Sequence, residues 1–96
     1  MDETEKTALY RKAWERWGQM QLIMLIEEPA ELIKTVTKYL RNKSRDTEMH
    51  IAEEVADVEI VCEQYRRLPD MDNLVNKYKE EKLQRLKKIL DSAELL

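Results

Sequence analysis

Residues 19–40 read QMQLIMLIEEPAELIKTVTKYL, and the reading of this run decides the class of the whole chain. Leu22, Leu25, Ile26, Pro29, Ile33, Val36 and Leu40 recur at short helical steps, and Gln21, Met24, Glu28, Glu31 and Thr35 trace a more polar line beside them. The spacing predicts a helix from about Gln19 to Leu40, with the first line facing the core. A strand would need strict alternation, and no stretch of the chain alternates for long enough. One Gly and two Pro in 96 residues leave few places to break a helix. The class is all-α.

Three more helices follow from the same argument. Residues 4–17 place Tyr10, Ala13, Trp14 and Trp17 on one side, and Gly18 marks a bend before the next element. The basic connection Arg41-Asn42-Lys43-Ser44-Arg45 leads to Asp46 or Thr47 as an N-cap for a third helix that ends near Arg67. Its core line is Ile51, Val55, Val58, Cys62 and Tyr65, with His50, Glu54, Asp57, Val61 and Gln64 alongside. Pro69 disfavours an α conformation at Leu68 and precedes a fourth helix, from about Met71 to Asp91. Its line Met71, Val75, Tyr78, Lys82, Arg85 and Ile89 is apolar at both ends and basic in the middle. Pro29 lies inside the second helix, where it removes a hydrogen bond to the Leu25 carbonyl at a cost of about 3 kcal/mol. A kink or local bulge is expected there.

Ninety-six residues make one domain, 1–96, and a chain of this size buries only about 60% of its unfolded surface. Hydrophobic residues make up 43% of the chain, but none is Phe, so the core is thin and association would enlarge it. The net charge of −3, with both signs interleaved, gives no basic footprint for a nucleic-acid polymer. The longest apolar run, Leu22 to Ile26, is far short of a membrane span, and the acidic start Met1-Asp2-Glu3-Thr4-Glu5 does not read as a signal peptide. A cytoplasmic protein is expected. Cys62 has no second cysteine to pair with, and is read as a small core residue.

Chemistry is concentrated in two acidic runs, Glu27-Glu28-Pro29-Ala30-Glu31 and Glu53-Glu54-Val55-Ala56-Asp57. Residues three apart on a helix share a face, so Glu28 with Glu31 and Glu54 with Asp57 each form a two-carboxylate jaw. If the helices pack together, two such charges about 5 Å apart repel by roughly 3 kcal/mol at an effective dielectric near 20. Such a cluster needs a counter-charge. An all-oxygen set suits a hard divalent ion, Mg2+ with Mn2+ as a substitute. In a chain with 39% charged residues, however, Glu and Asp also fall at i, i+3 by chance on solvated helix faces.

The run from Trp17-Gly18 through Gln21 to Glu28, the EExxE and ExxD pair, and the closing Lys82-Leu83-x-Arg85-Leu86 resemble the MazG-like all-α nucleoside triphosphate pyrophosphohydrolases. The likeness is greatest to short phage-type members, and covers about Trp14 to Ile89. The resemblance implies a small helical bundle completed by association into a homodimer or homotetramer. It further implies Mg2+ on Glu28, Glu31, Glu54 and Asp57, and hydrolysis of a (d)NTP to (d)NMP and pyrophosphate as house-cleaning. Glu27, Glu28 and Glu31 would be the catalytic acids, and Lys82 and Arg85 would hold phosphate oxygens. Trp17 and Gln21 would meet the base and sugar. His50 is not expected to ligate, because Mg2+ disfavours nitrogen, and the Glu-x-x-His pairs of di-iron bundles are missing. Pro29 departs from the family pattern, where a small residue is usual. Two other readings are open: phosphoribosyl-ATP pyrophosphohydrolase on the same framework, and a non-catalytic helical interaction or oligomerisation module.

Overall fold

In the computed structural model, which describes the backbone of residues 1–94 and the side chains of residues 1–92, four helices run α1 Glu3–Trp17, α2 Met20–Arg41, α3 Arg45–Arg66 and α4 Met71–Glu94. The all-α helical-bundle class holds, with no strand among the described residues. α1, α2 and α3 to Tyr65 form one compact unit, and a second begins at Arg66 and carries α4.

Local chemistry explains each boundary. Asp2 caps α1 by accepting from the Glu5 N–H at 2.8 Å, and Glu3 and Glu5 in the first turn and Arg16 in the last suit the helix dipole. α1 ends at Gly18, whose N–H donates to the Trp14 carbonyl at 2.8 Å with φ +52°, a value that a side chain would strain. α2 continues through Pro29 without a 3₁₀ or π interruption, so residues 19–28 are not a separate segment. α3 begins two to three residues earlier than the sequence suggested, with Ser44 in the cap position. Ser44 Oγ accepts from the Thr47 N–H at 3.2 Å while Thr47 Oγ1 accepts from the Ser44 N–H at 3.0 Å. This is a reciprocal box in which Thr47, expected as a cap, sits inside the first turn. In the second unit, Arg66 donates to Asp72 and Asn76, both at 2.9 Å, across a turn where Asp70 takes φ +66°.

The core is small. Among the described residues Tyr10, Ala13 and Val61 are the buried apolar ones, and Gln21 and Thr47 the buried polar ones. Two hydrogen bonds tie α1 to α3: Tyr10 Oη donates to Glu63 Oε2 at 2.5 Å, and Trp14 Nε1 donates to the Gln64 carbonyl at 3.1 Å. They fix which side of α1 and α3 faces inward, and the result differs in part from the hydrophobic pattern.

On α3 the inward line is Thr47, Ile51, Glu54, Val58, Val61 and Tyr65. Val61 is buried, Val55 is exposed, and Cys62 is exposed rather than in the core. On α2 the inward line runs Gln21, Met24, Leu25, Glu28, Pro29, Leu32, Thr35, Val36 and Tyr39. Of the apolar line expected inside, Leu25, Pro29 and Val36 stay on the inward side, while Leu22 at 40% exposure, Ile26 at 72%, Ile33 at 68% and Leu40 at 64% are turned out. A rotation of less than one residue step, which is roughly 100°, accounts for both changes, since Leu25, Pro29 and Val36 on α2 and Ile51, Val58 and Tyr65 on α3 stay inward.

Candidate functional site

The inward turn of α2 and α3 carries their polar residues toward each other. Glu28 from α2 and Glu54 and Asp57 from α3 each offer a carboxylate oxygen within 4.8 Å of the other two. Glu28 and Glu54 are half-buried and Asp57 is exposed. Glu28 holds its proton more tightly than an ordinary carboxyl, because burial removes it from water and because Asp57, Glu54, Glu27 and Glu31 add negative charge around it. No Lys or Arg among the described residues forms an ion pair with any of these acids.

Above the cluster opens a cleft of about 400 Å³. Trp17, Met20, Ile23, Met24, Ile60 and Val61 give it an apolar wall, and Gln21, Glu27, Glu28, Asp57 and Gln64 supply its polar side. Gln21 is 6% exposed and its Oε1 has no hydrogen-bond partner, so the cleft contains a buried acceptor as well as the carboxylates. Trp17 is half exposed, with the Arg16 guanidinium 5.8 Å from its ring centroid.

The candidate residues therefore separate into groups. Glu28, Glu54 and Asp57 come together, and Glu27, Trp17 and Gln21 line the adjoining cleft. Glu31 is exposed and lies outside the three-carboxylate group. It lines a smaller cleft of about 190 Å³ with Lys34, Thr35, Lys38, Thr47 and His50. Lys82 and Arg85 lie exposed on α4, in the second unit. Sequence reasoning passed over Met20, Ile23, Met24, Ile60 and Gln64 as cleft residues. A seven-residue step was the available signal: Gln21 to Glu28 and Asp57 to Gln64 each span two helical turns, so each pair shares a face.

No family model and no solved structure matches the chain. It is 30% identical over 95 residues, 99% of its own length, to a protein of Vibrio campbellii named Der GTPase-activating protein YihI. The chain spans about half, 51%, of that protein.

This finding corrects the MazG-like reading. Similarity along nearly the whole chain runs to a protein named for activating a GTPase, and nothing supports a nucleoside triphosphate or phosphoribosyl-ATP pyrophosphohydrolase. The (d)NTP substrate, the hydrolase activity and the house-cleaning purpose are withdrawn with it. The physical reason is that acids at i, i+3 on a highly charged helix are a weak signature, and only three of the four expected carboxylates converge. No helix among the described residues is long and apolar enough to cross a membrane.

Proposed function

We propose that the chain is a helical GTPase-binding module that raises the hydrolytic rate of a bacterial GTPase without hydrolysing nucleotide itself. The observation that carries this reading is the 30% identity to the Der GTPase-activating protein over 95 residues. The geometry supports it independently of the name. A chain whose buried apolar core is Tyr10, Ala13 and Val61, and which exposes Ile26, Ile33 and Leu40 along one helix, has apolar surface to offer a protein partner. A cytoplasmic setting is part of the proposal.

The test is GTP turnover by purified Der with increasing amounts of the chain, beside binding measured by calorimetry. Acceleration of GTP hydrolysis, with no phosphate or pyrophosphate released by the chain alone, is the expected result. No binding and an unchanged rate would refute the reading.

A second copy is a further occupant of the outward face of α2, as a bundle completed by association requires. Leu22, Ile26, Ile33 and Leu40 are separated by four, seven and seven residues, the spacing of a two-helix seam. Sedimentation of the isolated chain tests this, with a dimer or tetramer expected.

The same reading gives Glu28, Glu54 and Asp57 a divalent cation, Mg2+ or Mn2+, to offset their mutual repulsion. The all-oxygen donor set supports it. The three oxygens lie within 4.8 Å of one another, close to the span of about 4.2 Å across a Mg2+ octahedron. Calorimetric titration with MgCl2 and MnCl2 tests it.

A further inference from the structure

The cleft between α2 and α3 presents two features that a bare metal ion does not satisfy together. One is a group of three carboxylates with no ion-pair partner among the described residues. The other is an apolar wall that includes Trp17, Met24 and Ile60, beside which the buried Gln21 keeps an Oε1 without a hydrogen bond. A hydrated Mg2+ ion answers the charge, but it keeps its waters and leaves the apolar wall uncovered. A wholly apolar side chain covers the wall and leaves the charge and the orphaned acceptor unmet.

One side chain has the chemistry for both. Arginine carries an apolar three-carbon stem that packs against aromatic and aliphatic surface, and ends in a planar fork of five N–H donors that cannot lose its charge in the physiological range. Carboxylates accept from such a fork in parallel pairs, and an amide oxygen accepts from the donor that remains. Lysine brings the charge as a compact, strongly hydrated point, and cannot reach several acceptors in one plane. Arginine is also among the residue types that anchor protein interfaces by filling a pocket on the partner.

We propose that this cleft receives an arginine side chain presented by a protein partner, with the guanidinium held by Glu28 and Asp57, the buried Gln21 amide turning to bring Oε1 onto one of its N–H groups, and the stem against Trp17, Met24 and Ile60. The 400 Å³ of the cleft accommodates one long side chain with room for water. Binding removes the uncompensated negative charge around Glu28 and satisfies the buried amide. Mg2+ and the guanidinium are alternative answers to the same charge, and so they compete. The inference rests on the GTPase-binding reading only for the source of the arginine.

The experiment is an NMR titration of the full chain, without divalent metal, using three capped pentapeptides, Ala-Leu-Arg-Leu-Ala and its citrulline and lysine counterparts. Citrulline keeps the shape of arginine and removes its charge. Saturable shifts of the Gln21 side-chain amide and the Trp17 indole N–H are expected with the arginine peptide. Affinity falls at least tenfold with citrulline and falls also with lysine. Asp57→Asn, at an exposed position that leaves the core untouched, and Glu28→Gln each abolish the response, and millimolar MgCl2 reverses it. Equal response to citrulline, unchanged binding in Asp57→Asn, or no response to any peptide overturns the assignment. The two readings fail separately. Arginine binding without acceleration of Der removes the regulator and keeps the cleft, whereas Der binding Asp57→Asn as tightly as the wild type removes the cleft and keeps the regulator.

Discussion

α2 divides its apolar residues between an inward face that also holds its polar cleft residues and an outward face that meets solvent. The inward face carries Gln21, Glu28 and Thr35 among Met24, Leu25, Leu32 and Tyr39, while Leu22, Ile26, Ile33 and Leu40 stand on the outward face. A helix in a self-sufficient small domain buries its most apolar stripe. Here the inward side mixes Gln21, Glu28 and Thr35 with apolar residues, and part of the apolar stripe meets solvent. The inward face is therefore where ligand chemistry is to be sought, and the outward face is where the proposed association is to be tested.

The largest expected effect comes from the residue on the border between the faces. Pro29→Ala restores the hydrogen bond to the Leu25 carbonyl, and urea unfolding is expected to show a gain approaching 3 kcal/mol. A gain near zero would mean that the helix already accommodates the proline. Next, Val61→Ala removes two methyl groups from the apolar side of the inward cleft, and is expected to cost about 2 kcal/mol in the same assay. A much smaller cost would show that the inward face contributes little to folding, and would weaken the contrast.

The outward face makes the opposite prediction. Ile26→Asp with Ile33→Asp should leave the stability of the monomer within about 0.5 kcal/mol, as for exposed positions. The same pair should weaken self-association and GTPase binding at least about tenfold, or some 1.4 kcal/mol, by sedimentation and calorimetry. Loss of folding in place of loss of binding would break the comparison.

The smallest effect concerns charge in the cleft. Glu28 has a raised pKa in the folded chain, so the unfolded chain ionises first as pH rises. Folding therefore weakens from the ordinary carboxylate value up to the raised one, and stays weaker above it. Glu28→Gln cannot ionise, and thermal melts are expected to show it slightly more stable than the wild type at neutral pH. The difference should vanish below the ordinary carboxylate range. Added Mg2+ should close the gap by stabilising the wild type alone.

How far these features were legible differs from one to the next. The four helices were readable within a few residues, because Gly18, Ser44 to Thr47 and Pro69 act through local backbone chemistry. The convergence of Glu28, Glu54 and Asp57 was legible from spacing, but the exclusion of Glu31 was not. Glu31 is three residues from Glu28, and whether that step points along the groove or out of it depends on how α2 is rotated. The resemblance to a pyrophosphohydrolase failed for a related reason. A short acidic motif describes what one helix can present, and it is silent about the groups that other elements bring to the same place.

From sequence alone came the all-α class, the positions of the turns and the two acidic runs, since each depends on residues within a few positions of one another. Tertiary structure decided which side of each helix faces inward. Tyr10 bonding to Glu63 and Trp14 to the Gln64 carbonyl join positions some fifty residues apart, and a contact at that separation leaves no periodic trace in the chain. Those bonds orient α3 against α1, and so Val61 is buried while Cys62 meets solvent.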